Sequence, residues 1–146
     1  MSDTKAPGTS LSEALLLVDR AIARIPQLTA FGIGVYYLHC RLGKDVVAAK
    51  IAEGQAALYS RPNLRSVAVC ADWIKARRRR KTFNPHLTSY VYKHLIEEYR
   101  EGTGEPESYT PNGAFIAAAV GLGFDFQVTG PNAIFRFSDT AVRHAR

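Results

Sequence analysis

A chain of 146 residues, 47% hydrophobic and 22% charged, can bury a core without a disulfide or metal staple, and its composition excludes a disordered or fibrous polymer. Its 19 basic side chains against 13 acidic ones give a formal charge of +6, which favours polyanionic partners. The two cysteines, Cys40 and Cys70, exclude a disulfide framework.

Both cysteines read as reduced, buried thiols, which places the chain in the cytoplasm. The first ten residues are polar and carry no apolar signal core. The longest apolar stretch, Ala114 to Phe124, falls short of the ~20 residues that span a bilayer, so no membrane partner is expected.

Residues 1–9 read as a disordered tail and 10–146 as a single globular domain. Ser10 with Glu13 three residues on forms a capping box, and Leu11, Leu15, Val18 and Ile22 share one face of a first helix that stops before Pro26. Between 26 and 42 two patterns compete. Phe31, Ile33, Val35 and Tyr37 alternate like a strand, whereas Leu28, Phe31, Val35, Leu38 and Leu42 recur like a helix closed by Gly43. The longer helical pattern is preferred, against the cost of Gly32 and Gly34.

Asp45 caps a third helix with Val47, Ile51 and Leu58 inward, ending before Arg61-Pro62. Asn63 caps a fourth, with Leu64, Val67, Ala71 and Ile74 on one face and Trp73 beside it; a strand through Val67, Val69, Ala71 and Trp73 is the alternative. This helix is expected to run straight into Arg77-Arg78-Arg79-Arg80-Lys81. Residues 82–87 form a linker with the turn signal Asn84-Pro85. A fifth helix starts at Thr88 or Ser89, with Tyr92, Leu95, Ile96 and Tyr99 inward, and ends at Gly102.

Thr110-Pro111 opens a sixth helix whose segment Ala114 to Leu122 is apolar all round and therefore enclosed. Gly113, Ala117 and Gly121, four apart, let another backbone approach. Phe124, Phe126 and Val128, then Ala133, Phe135 and Phe137, alternate with other residues around Thr129-Gly130-Pro131-Asn132, which signals a β-hairpin with one aromatic face buried. Ser138 caps a short last helix through Val142. The fold class is thus α+β: about six helices, a C-terminal antiparallel hairpin and a short last helix, loosely winged-helix-like in order.

The basic run is the most unusual feature. Five consecutive cations repel one another, and each phosphate they neutralise would release a counterion, giving salt-sensitive binding to nucleic acid. Lys75, Arg77, Arg78, Arg79, Arg80 and Lys81 are the candidate anchors, with Arg65 extending the patch and Arg136 and Arg143 as further phosphate contacts. The bland reading is a solvated helix end favoured by the helix dipole. The helix in the recognition position of a winged-helix protein has no side chain to read a base edge, so backbone-led binding of DNA or RNA without sequence specificity is the expectation.

No metal-ligand spacing, nucleophile elbow, P-loop or dinucleotide glycine pattern occurs, so neither cofactor nor enzymatic activity is expected. Glu97, Glu98 and His94, with Asp72, form the only scattered group that could do chemistry. Tyr36, Tyr37, Tyr90 and Tyr109 are the aromatics least securely placed in a core. The alternative function is a protein-interaction or self-assembly module, motivated by the apolar surplus of the second and sixth helices.

Thr88-Ser89-Tyr90, Lys93-His94, Tyr109 and Asn112-Gly113-Ala114-Phe115-Ile116-Ala117-Ala118 together resemble a pattern in short, uncharacterised bacterial proteins of plasmids and prophages, over about residues 88–137. The resemblance implies no activity and no site residue; it points to a mobile-element accessory protein that meets DNA or a host factor.

Overall fold

The computed structural model describes residues 7–34, 43–105 and 107–138. Helix α1 spans Leu11–Arg24, and Ser10 caps it, its Oγ accepting the Glu13 amide at 3.1 Å. Its buried stripe is Ala14, Leu17, Val18 and Ala21, so Leu11 and Leu15 are left exposed. Of the stretch expected as a tail, residues 1–6 lie outside the described residues, and Gly8 and Thr9 are tied to the fold. The Asp72 carboxylate accepts the Gly8 amide at 2.6 Å, and the Thr9 amide and hydroxyl at 2.9 and 2.7 Å, and Thr9 is buried.

The helix expected from residue 26 is not formed at its described end. Strands β1 (Leu28–Thr29) and β2 (Gly32–Ile33) make a tight antiparallel hairpin instead. The reason lies in the glycines: Gly32 and Gly34 sit at φ of 138° and 77°, conformations that a helix never uses. Thr29 locks the turn, its hydroxyl accepting the Phe31 amide and donating to the Gly32 carbonyl. Residues 35–42, which carry the rest of that expectation and Cys40, lie outside the described residues.

Helix α2 (Lys44–Leu58) follows with Gly43 as its cap, so that Asp45 stands in the first turn. Leu58 is buried and Val47 and Ile51 are half-buried. Helix α3 (Arg61–Lys75) begins earlier than expected: Ser60, not Asn63, caps it, and Pro62 occupies the first turn, where its missing N–H costs nothing. The expected face, Leu64, Val67, Ala71 and Ile74, is buried, with Trp73. Helix α4 (Ser89–Gly102) buries Tyr92, Leu95 and Ile96, but Tyr99 is 53% exposed. The chemically surprising interior positions are Lys93 and Arg100.

Helix α5 (Asn112–Gly121) is buried at every residue, enclosed by α1, α3 and α4. Glycines permit the closeness. A Cβ at Gly121 would come within 2.4 Å of the Leu17 carbonyl oxygen, and one at Gly113 within 1.8 Å of the Thr29 carbonyl oxygen. The second hairpin, β3 (Phe126–Thr129) with β4 (Asn132–Phe135), pairs Phe126 with Phe135 and Thr129 with Asn132 around Gly130-Pro131. Phe124, Phe135 and Phe137 pack with Phe115 and Tyr92 into one aromatic cluster, the Tyr92 and Phe115 rings stacked at 5.0 Å; Val128 stays exposed.

The α+β class is as expected, with five helices among the described residues and two small hairpins. Helix–helix–hairpin order is present, but α5 is wholly enclosed, so it cannot lie in a nucleic-acid groove as a winged-helix recognition helix does. The short helix expected after Ser138 falls outside the described residues. No helix among the described residues is long and apolar enough to cross a membrane.

Candidate nucleic-acid interface

The basic run does not prolong α3. That helix closes at Lys75 with Ala76 as its cap, and the chain then turns alongside the hairpin. Arg79 pairs with Phe137 in an antiparallel bridge, flanked by hydrogen bonds from the Arg80 amide to the Arg136 carbonyl (2.7 Å) and from the Ser138 amide to the Arg78 carbonyl (2.9 Å). Farther on, the Asn84 amide donates to the Phe135 carbonyl and Asn84 Oδ1 accepts the His86 amide, the turn that Asn84-Pro85 signals. The run therefore lies alongside residues 136–138 with Arg79 as its bridged residue, and is not a ring around a helix end.

Strand geometry sorts them by face. Arg79 shares the side of Phe137, and its guanidinium carbon lies 4.0 Å from the centre of the Phe124 ring, itself packed on Phe137. Arg77 lies over Trp73 at 4.6 Å, with Nε donating to the Trp73 carbonyl at 3.1 Å. Arg78 and Arg80 alternate to the opposite face. There Arg80 stands directly across from Arg136, whose guanidinium lies 4.7 Å from the Phe83 ring. Among the described residues one acid lies within 4 Å of this face's cations, Asp125, 3.6 Å from Arg136 Nη1. Arg80 Nη2 donates to Thr82 Oγ1 at 3.2 Å, and the side chains of Arg78 and Lys81 have no partner among the described residues.

The structure thus brings together Arg77, Arg78, Arg79, Arg80, Lys81 and Arg136. It removes Lys75, whose ammonium turns to the start of α1, donating to Thr9 Oγ1 at 3.0 Å and lying 3.8 Å from Glu13. Arg65 sits in the first half of α3 against Glu105, away from the run. Arg143 lies outside the described residues. Arg24 is an addition that sequence reasoning missed: it lies over the Phe126 ring at 5.0 Å and donates to the Phe124 carbonyl, the residue under Arg79. An arginine closing a first helix carries no signal that it will meet a hairpin folded from the far end of the chain.

The group that could have carried chemistry is split. Asp72 holds Gly8 and Thr9. Glu97 is engaged by Lys93 at 3.2 Å, His94 at 3.0 Å and the Thr110 amide at 3.1 Å, while Glu98 is exposed. Lys93, 9% exposed, lies over the exposed rings of Tyr90 and Tyr109. A separate cleft of about 400 Å³ between α3 and the loop before α5 is lined by Arg61, Arg65, Arg100, Glu105 and Tyr109. Among the described residues no group of three or more His, Cys, Asp and Glu is placed to hold a metal. No family model, no curated protein and no solved structure matches the chain.

Proposed function

We propose that this protein binds nucleic acid, without chemistry and without cofactor, through the phosphate backbone. Arg78, Arg80 and Arg136 are the primary anchors, and Lys81 and Arg24 widen the surface. The observation that carries the reading is the placement of Arg80 across from Arg136 beside the Arg79–Phe137 bridge, with Asp125 the one acid within 4 Å of these cations among the described residues. Like charges abreast in a ladder oppose folding. A polyanion laid along that face would relieve them and release its counterions. A mobile-element accessory protein that meets DNA would use such a surface, in the cytoplasm.

The test is fluorescence anisotropy with a labelled oligonucleotide across a salt series. Wild type is expected to bind at low salt with a steep loss of affinity as salt rises. The triple replacement of Arg78, Arg80 and Arg136 by glutamine is expected to flatten that slope by about two to three counterions. Unchanged affinity and slope in the triple variant would overturn the assignment.

A protein-interaction or self-assembly module is the second reading, on a different observation from the one that first suggested it. The apolar surplus of α5 is consumed in the core, but α1 leaves Leu11, Leu15 and Leu16 exposed. Sedimentation at high concentration decides it: a strict monomer removes self-assembly.

A further inference from the structure

The two sides of the basic run are chemically different, and the difference bears on which form of nucleic acid fits. This step rests on the nucleic-acid reading above. A guanidinium is a flat cation with hydrogen-bond donors in its plane and two stacking faces. On Arg77 and Arg79 one of those faces is already occupied, by Trp73 at 4.6 Å and by Phe124 at 4.0 Å. Arg77 is further fixed by its Nε bond to the Trp73 carbonyl. Both rings are core residues, so the arginines rest on a rigid base and not on mobile side chains. Arg79 is exposed and Arg77 half-buried, so each keeps a side open beyond its ring. Arg78, Arg80 and Arg136 lie on the other side of the run.

We infer that the Arg77 and Arg79 guanidinium planes, seated on Trp73 and Phe124, stack on unpaired bases, so that the interface selects single-stranded over duplex nucleic acid. Bases in a duplex are stacked on one another and offer no free face; those of a single strand do. The division of labour follows from the geometry: phosphates toward Arg78, Arg80 and Arg136, bases toward Arg77 and Arg79. Lysine would keep the charge at the latter two positions and lose the plane.

Three probes of equal phosphate number separate the terms: a thymidine oligonucleotide, the same backbone with abasic sites, and a blunt duplex. Wild type is expected to bind the base-bearing strand about tenfold more tightly than the abasic one, in line with stacking on planar side chains. The emission of Trp73, the only tryptophan in the chain, is expected to change with the base-bearing strand and not with the abasic strand. Arg77→Lys with Arg79→Lys is expected to erase the preference while leaving the salt slope intact. Circular dichroism checks that this pair of changes leaves the fold in place. Salt-sensitive binding with equal affinity for base-bearing and abasic strands would overturn the stacking inference and leave the backbone reading standing. Tighter binding of the duplex would do the same. Absence of binding to all three probes would overturn both.

Discussion

A guanidinium carried into a protein interior needs acceptors, and the Nε and Nη1 groups of Arg100 have them. It is 3% exposed. Its Nε donates to Glu105 Oε2 at 2.8 Å, and its Nη1 reaches Ser66 Oγ at 2.7 Å, Thr110 Oγ1 at 3.1 Å and the Tyr109 carbonyl at 3.2 Å. One side chain of α4 thereby ties α3 to the loop that delivers α5. Removing one half of a buried pair strands the other charge, so Arg100→Met is expected to cost about 3–5 kcal/mol in urea denaturation, whereas Arg100→Met with Glu105→Leu costs markedly less. Equal losses in the single and double variants would show that the pair is not the source. Nearby, burial pushes the Cys70 thiol well up, outweighing the opposing pull of the Arg100 charge. With Cys40 replaced by serine, Cys70 is therefore expected to resist a disulfide reagent at pH 8–9, where an ordinary thiol ionises, and to react only on unfolding. The buried thiol of Cys70 was readable beforehand, and the buried guanidinium of Arg100 was not. Nothing in sequence separates Arg100 from Arg65; the partners that make burial tolerable come from α3 and from the connection between α4 and α5.

At the scale of elements, period was legible and pairing was not. The enclosed helix α5, the stripe of α3 and the alternation of the second hairpin are local patterns, and each formed where its pattern lay. The segment 28–34 failed because the helical spacing of Leu28 and Phe31 outvoted two glycines, whose positive φ angles the fold actually needs. The basic run was misread because its outcome depends on residues 136–138, far along the chain, which offer hydrogen bonds that a prolonged helix of five cations would not gain. The glycine spacing in α5 was read correctly as a licence for close approach, and it makes a sharp prediction. Gly113→Ala places a methyl 1.8 Å from the Thr29 carbonyl oxygen, in backbone that cannot swing away. Its cost is expected to exceed the ~1–3 kcal/mol of ordinary overpacking. Gly102→Ala, at the end of α4 with nothing within 4 Å, is the matched control and is expected to stabilise by up to about 1 kcal/mol. A thermal melt of the two variants checks both signs; a tolerated Gly113→Ala would deny the contact between α5 and the first hairpin.

Over the whole molecule, the charge of +6 is less telling than where it sits. Lys75 and Arg65 are held by acids, while among the described residues no acid lies within 4 Å of the cations of 77–81 and Arg136 has Asp125 alone. If that surface exists for a polyanion, it should weaken the unliganded protein, because stability and function then ask opposite things of the same residue. Arg80→Gln separates them. Removing one of two cations that face each other across the ladder is expected to stabilise the free protein by about 0.2–1 kcal/mol at low ionic strength. The gain should fade towards 1 M salt, where screening acts within about 3 Å. The same change should weaken oligonucleotide binding. Charged residues on an edge strand also deter strand-to-strand aggregation. That role alone predicts a variant that aggregates sooner with its oligonucleotide affinity untouched. Chemical denaturation at two salt concentrations, beside the anisotropy titration, distinguishes the cases. A variant that is less stable than wild type at low salt would mean that Arg80 serves the fold, and the case for a surface strained in readiness for its ligand would fall.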